Sequence, residues 1–209
     1  MTDLDPPELD DGDRPVDGRV ARRQRNIDSV LDVVLELFGE EQHFPTIEQV
    51  AKRSGLSLRS LYRYFSDPGE LLEAAIGRTR ERSAGTARLH AIGEGPLARR
   101  IDDFVEMRVR LHEIEGVSFR ATMANAVRLP RINDELRHNR ALMREQFELQ
   151  FAPELAAMSP ADRRTAVAVG DVATQLDTIG LFRRHGELSP IETENALRKA
   201  LVDALQGRT

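Results

Sequence analysis

The stretch TIEQVAKRSGLSLRSLYRYF, residues 46–65, decides the fold. Thr46 and Gln49 have capping-box spacing: the threonine oxygen can accept an orphan first-turn N–H while the glutamine reaches back. Ile47, Val50 and Ala51 give this helix an apolar face, and it stops near Ser54 and Gly55. Ser57 is a good N-cap for a second helix that ends near Phe65, with Leu61 and Phe65 pointing inward. Leu58, Arg59, Ser60, Tyr62, Arg63 and Tyr64 are left for other faces. Two short helices joined by a few residues with a glycine form the helix-turn-helix pattern. Such a unit can lay its second helix in the DNA major groove. A plain helical hairpin in a bundle has the same spacing, so spacing alone leaves both readings open.

Working outward, the preceding segment reads as one long helix from about Val20 to Glu41. Ile27, Leu31, Val34 and Phe38 lie on one face of a 3.6-residue period. Its first turn carries Arg19, Arg22, Arg23 and Arg25. Downstream, Asp67, Pro68 and Glu70 read as N-cap, N1 proline and N3 acid of a fourth helix, running through Leu71, Leu72, Ala75 and Ile76 to about Ala84. Four or five more helices are expected, at about 97–115, 117–128, 131–151, 160–184 and 190–206. The last two open on Ser159-Pro160 and Ser189-Pro190. The fold class is therefore all-α: an N-terminal three-helix helix-turn-helix unit plus a C-terminal helical bundle. No flexible linker separates them, so the boundary is placed inside the fourth helix, giving segments 18–76 and 77–209.

Charge is segregated. The chain has 209 residues and a net charge of -5, yet residues 1–17 hold seven acids and one base. The other 192 residues sum to +1. The acidic segment 1–17, with three prolines, is expected to be disordered; a DNA-mimicking, self-inhibiting tail is the alternative. In the span of the two short helices, Lys52, Arg53, Arg59 and Arg63 face one acid, Glu48. A net-acidic protein can still bind DNA through such a face.

Residues 26–76 resemble the DNA-binding domain of the TetR family of transcriptional regulators. The resemblance is carried by Thr46, Val50-Ala51, Ser54-Gly55-Leu56-Ser57, Ser60-Leu61-Tyr62, Tyr64-Phe65 and then Glu70-Leu71. It implies that Thr46, Ser60, Tyr62 and Tyr64 hold the sugar–phosphate backbone. It places Ser57, Leu58, Arg59 and Arg63 toward base edges or their rims. Arg22 and Arg23, from the arginine cluster before the first long helix, are expected to add sequence-independent phosphate contacts. A guanidinium can bind guanine O6 and N7 bidentately, so Arg59 is the best direct reader. One departure stands out: where the family usually has a phosphate-contacting lysine, this chain has Pro68.

The resemblance assigns the C-terminal half to dimerisation and a small-molecule effector. Ala166, Val169, Ala173, Leu176 and Gly180 form one narrow stripe, and Leu197, Leu201, Ala204 and Leu205 another; Ala200 lies on the second. Together they suggest a homodimer interface, with an intramolecular hairpin as the alternative. Phe104, Met107, Leu111, Phe119, Met123, Met143 and Phe147, with Phe151, supply bulky apolar surface for either a core or a pocket. Asn125, His112, His138 and Asp177 are polar candidates for a lining. The expected partners are an operator in double-stranded DNA, an effector of unknown identity and a second copy.

The chain has no Cys, which excludes thiol catalysis, disulfide scaffolds and cysteine metal sites. No run approaches the length of a membrane span, and no secretory signal is visible, so a cytoplasmic protein without membrane attachment is expected. No phosphate loop, nucleophile elbow or zinc-protease motif occurs, and neither enzyme activity nor a cofactor or metal is expected. Glu40-x-x-His43 and Glu135-x-x-His138 share the spacing of di-iron bundles, which keeps a di-metal carboxylate protein as the alternative from a different class. A DNA-binding regulator without an effector is the other.

Overall fold

The computed structural model describes residues 18–41 and 44–206, the side chains of residues 19 and 41 excepted. The acidic segment 1–17, His43 and the Arg19 side chain lie outside the described residues. Among the described residues the regular elements are all helices: α1 (Gly18–Glu41), α2 (Ile47–Ser54), α3 (Leu58–Tyr64), α4 (Pro68–Ser83), α5 (Leu97–Ala126), α6 (Pro130–Gln150), α7 (Ala152–Ala157), α8 (Pro160–Thr174), α9 (Leu176–Arg184) and α10 (Pro190–Gln206).

The first four helices form as the caps dictate. Thr46 closes a full capping box on α2, accepting from the Gln49 N–H at 3.3 Å while its own N–H donates to Gln49 Oε1 at 2.7 Å. Gly55 ends α2 at φ +70°, in the left-handed region that glycine enters without a Cβ clash. Leu31 and Val34 of α1, Val50 of α2, Leu61 and Phe65 around α3, and Leu71 and Ala75 of α4 bury together as one core.

α4 belongs to both halves. Its next pair, Leu72 and Ile76, joins Phe38, Ala121 and Ile132 in a second cluster at the junction. Alternate positions on one helix thus pack into two different cores. A movement of α4 is therefore felt on both sides.

The bundle corrects three expectations. The expected break near residue 116 is absent, and α5 runs unbroken from Leu97 to Ala126. Gly116 costs a helix interior only about 1 kcal/mol, and Leu111, Ser118 and Phe119 around it are buried. Conversely, the expected single helix 160–184 is broken at Gln175, which is extended at ψ 149°. Gln175 Nε2 donates to Asp171 Oδ1 at 2.5 Å across the bend, and Asp177 beyond it pairs with Arg140 at 2.6 Å. The bend turns Leu176 inward against Leu111, Phe119, Leu136 and Met143. Finally, α7 is an additional short helix after Phe151.

Close packing explains one glycine. A Cβ on Gly170 of α8 would stand 2.2 Å from Cζ of Phe147 on α6. Phe147 itself is fully buried and meets Phe104 and Phe151 edge-on at centroid distances of 6.1 Å and, at a tilt, 5.0 Å. α8 approaches α6 this closely because Gly170 has no side chain.

Candidate nucleic-acid interface

α3 is fixed from behind and bare in front. Leu61 and Phe65 are buried, whereas Leu58 is 41% and Tyr62 51% exposed. Ser57 caps the helix, accepting from the Ser60 N–H at 3.2 Å, and its hydroxyl meets that of Ser60 at 3.0 Å. Arg59 is exposed and has no intramolecular partner among the described residues. An exposed leucine, an unpaired arginine and an exposed tyrosine on consecutive turns contribute little to this chain's own packing. They suit an external partner that is anionic and offers flat edges.

Tyr64 is half-buried, and its hydroxyl accepts from Asn26 Nδ2 and from an Arg63 guanidinium N–H, both at 3.3 Å. The Arg23 and Arg63 guanidinium groups stack over its ring at 5.6 and 5.3 Å. These donors hold the phenol below its usual pKa, the Asn26 bond contributing most. Tyr64 therefore ties α3 to α1 and gathers two cations at one edge of the face, leaving its hydroxyl proton to donate outward. Asn26, the α1 side of this contact, is not legible in the helical periodicity, because it lies off the apolar stripe. Arg22 is exposed on the neighbouring surface, and Thr46 sits at the exposed start of α2. Arg53 is turned away, in a bidentate bond to Glu40 of α1 at 3.1 and 2.7 Å.

At the start of α4, Asp67 Oδ1 accepts from the Glu70 N–H at 3.0 Å. Glu70 Oε2 in turn accepts from the Ser66 N–H at 2.6 Å and the Ser66 hydroxyl at 2.7 Å. Hydrogen bonding holds both carboxyls below their usual range, through the Glu70 amide for Asp67 and the Ser66 hydroxyl for Glu70. This helix start carries two carboxylates and no lysine, so its amides are occupied from within the chain.

Most of the residues named for a pocket lie in the bundle core. Phe104, Met107 and Phe147 are core, as are Leu111, Phe119 and Met143 in a second cluster. Met123 is 40% exposed, and the Asn125 amide donates back to Ala121 O at 2.8 Å. Phe104 and Met107 also line a surface groove of about 470 Å³, beside Arg88, His90 and Arg110. The reason is packing: large apolar side chains on facing helices interdigitate before they leave a void. Asp177 is spent on Arg140, and His138 is exposed.

Of the stripes assigned to a dimer interface, most positions face inward in the single chain. Ala166, Leu197, Leu201 and Leu205 are buried in this chain's own core. Leu176 is buried in the cluster around Met143, and Gly180 lies under the Arg184 guanidinium, with Nη1 2.7 Å from where a Cβ would be. Val169 is 48% exposed, with Ala173 and Ala204 half-buried. The outward apolar set is instead Val169, Val172, Leu181 and Ile191. Between α8 and α10 lies a groove of about 750 Å³ lined by Thr165, Val169, Ala200 and Ala204.

Sequence reasoning missed the buried Arg108. Its guanidinium donates to Met143 O at 2.7 Å and Gln146 Oε1 at 2.9 Å, lies 4.6 Å from the Phe104 ring centroid and leaves Nε without a partner. Burial pushes its pKa down to about 9. Of the two glutamates at di-iron spacing, Glu40 is held by Arg53 and Glu135 by Arg80, and no cluster able to hold a metal occurs among the described residues. No described helix is long and apolar enough to cross a membrane.

No protein-family model matches the chain. It is 32% identical over 105 residues to the HTH-type transcriptional regulator BetI of Klebsiella pneumoniae (strain 342), and 31% identical to that of Escherichia coli O127:H6. These matches cover 49% of this chain and 52% of the relatives, so the chain spans about half the length of the curated relatives it matches. Three solved structures share its architecture. A transcriptional regulator from Rhodococcus sp. RHA1 superposes with a TM-score of 0.66 at 19% identity, covering 88% of this chain and 96% of that one. A TetR-like transcriptional regulator from the same organism gives 0.62 at 18%, covering 91% and 98%. The multidrug binding protein EbrR, solved with imidazole, gives 0.61 at 19%, covering 90% and 92%. With an exposed, capped second helix on a rigid N-terminal core and a bundle continuous with it, the chain has the fold of the TetR-like regulators and is similar in sequence to HTH-type transcriptional regulators.

Proposed function

We propose that this chain is a DNA-binding transcriptional regulator that acts as a homodimer and responds to a small molecule. The observation that carries the reading is the face of α3: Leu58, Arg59, Tyr62 and Arg63 stand exposed on a helix whose other side is locked into the core. Arg59 reads a base edge, and Ser57 and Leu58 lie beside it at the helix start. Thr46, Ser60, Tyr62 and Tyr64 donate to phosphates, with Arg22, Arg23 and Arg63 supplying charge around them. Two copies joined through the outward faces of α8 and α10 present two such helices to a near-palindromic site. The most economical regulatory role is a cytoplasmic repressor released from its operator when an apolar or amphipathic effector binds the bundle and α4 shifts. Binding must differ between the two states to have that effect.

The test is selection of bound sequences from a random duplex pool. The reading expects enrichment of one inverted repeat with half-sites about one helical turn apart, or a multiple of that spacing. Recovery of unenriched sequence, or of a single half-site bound as tightly as the pair, contradicts it.

A further inference from the structure

We propose that the groove between α5 and α9 binds a small organic anion: a carboxylate or phosphate ester carrying a short apolar body. The groove has a volume of about 230 Å³, below the range of drug-sized pockets. Val109 and Val117 of α5 and Ile179 of α9 give it apolar walls. Its polar lining is His112, Arg120 and Arg183, with Glu113 also present. Arg184, from the next position on α9, folds back over Gly180.

Cations outnumber carboxylates in and around this groove: Arg120 and Arg183 line it with Glu113, and Arg184 stands beside it. Many arginines face a carboxylate, among them Arg53, Arg78, Arg80, Arg82, Arg100, Arg140 and Arg198. Arg120, Arg183 and Arg184 have no ion-pair partner among the described residues. Arg120 donates once, to Gly116 O at 3.1 Å, and its buried Nε has no partner. Burial and the nearby Arg184 hold the Arg120 pKa down. His112 is pushed down to about 4, first by burial and then by Arg184, Arg120 and Arg183, and is neutral at pH 7. A neutral imidazole still has one N–H to donate.

Arg120, Arg183 and the neighbouring Arg184 outnumber the one lining carboxylate, Glu113, so a bound anion relieves the repulsion that remains among them. A planar oxyanion can take paired N–H bonds from such forks, which a lone ammonium cannot offer. Gly116 makes the approach possible, since a Cβ there would stand 3.2 Å from His112 Nε2. Val117 also links the groove to the DNA-binding half. It lines a second groove shared with Asp32 and Leu35 of α1 and Thr79 of α4, and it lies 3.8 Å from the Cβ position of Gly39. What occupancy would do to DNA binding rests on the regulator reading; the binding itself does not.

Calorimetric titration of the DNA-free protein tests it, with benzoate and phenyl phosphate as probes and benzyl alcohol as the neutral control. Either anion should bind at millimolar concentration, and the alcohol should not. Arg183→Gln and Arg184→Gln, both near the surface, should each weaken the anion about tenfold, one charge-assisted bond's worth. Arg88→Gln, in the separate groove beside Phe104, should leave it unchanged. Binding of one anion only supports the site and names its head group. Absence of binding by both anions overturns the proposal. So does equal binding of the alcohol, indifference to the Arg183 and Arg184 substitutions, or loss in the Arg88 variant alone. DNA selection is measured separately, so either reading can fail without the other.

Discussion

Asp32 of α1 accepts two hydrogen bonds from Arg78 of α4, from Nε at 2.8 Å and from a terminal nitrogen at 3.2 Å. Arg82, one turn on, reaches the same carboxylate at 2.7 Å, and Arg78 also meets Asp28 at 2.9 Å. The helix that carries the N-terminal arginines is thereby clamped to the helix that enters the bundle. On its other side α4 reaches α6 through Arg80 and Glu135 at 2.5 Å. A signal from the bundle has a polar route to α1 that is independent of the apolar junction around Phe38.

Asp32→Asn should lower stability by about 1 kcal/mol at neutral pH, since the groups are partly solvated and screened. The Arg78 hydrogen bond holds the Asp32 carboxyl below its ordinary value of 3.8. A depressed carboxyl stabilises the fold above its unfolded pKa and loses that contribution as pH falls through the folded one. The difference between wild type and Asp32→Asn in urea denaturation should therefore be full at pH 7 and shrink below about pH 4. A difference that grows on acidification contradicts the clamp.

Gly170→Ala should destabilise by about 1–3 kcal/mol. The usual helical gain from alanine is outweighed, because the new methyl would overlap a fully buried Phe147 ring. Gly77→Ala on α4 is the contrast: nothing lies within 4 Å of its Cβ position, and a gain of about 0.5–1 kcal/mol is expected. Chemical denaturation of the two variants checks both signs.

Pro68→Lys should tighten selected and random DNA by similar factors, because a phosphate contact carries no sequence information. The carboxylates of Asp67 and Glu70 at this helix start leave a cation there something to offset. The plot of log affinity against log salt should steepen by roughly one unit per half-site. An unchanged slope would mean that the start of α4 does not approach the DNA backbone.

Val172→Glu should separate the two copies while leaving each folded, since Val172 is 61% exposed on α8. Leu201→Ala should instead unfold the chain by about 2–5 kcal/mol, because Leu201 is fully buried within it. Sedimentation for the first and denaturation for the second distinguish an interface from a core. A Val172→Glu dimer as tight as wild type would move the interface elsewhere.

The N-terminal unit was legible because its signals are local. The caps at Thr46, Ser57 and Asp67, the turn at Gly55 and the period of Leu31 and Val34 each act within a few residues. The bundle was less so. Gly116 reads as a break, yet tertiary burial on both sides carries α5 through it. The bend at Gln175 has neither glycine nor proline to announce it; it depends on Asp171, Arg140 and the cluster that receives Leu176. Stripes such as Leu197, Leu201 and Leu205 show which residues share a helix face but not which neighbour that face meets. Arg108 and Arg120 were invisible because the burial of a cation is set by other helices.

The most direct test of the central claim is the affinity of Arg59→Ala for every single-base variant of the selected site. A base-reading arginine should cost about 1–3 kcal/mol at one position per half-site and relax preference there, leaving other positions as selective as before. Arg22→Ala and Arg23→Ala should weaken all sequences alike and flatten the salt dependence. If Arg59→Ala loses affinity equally for every sequence, or loses none, α3 does not read DNA through Arg59 and the assignment of this face is wrong.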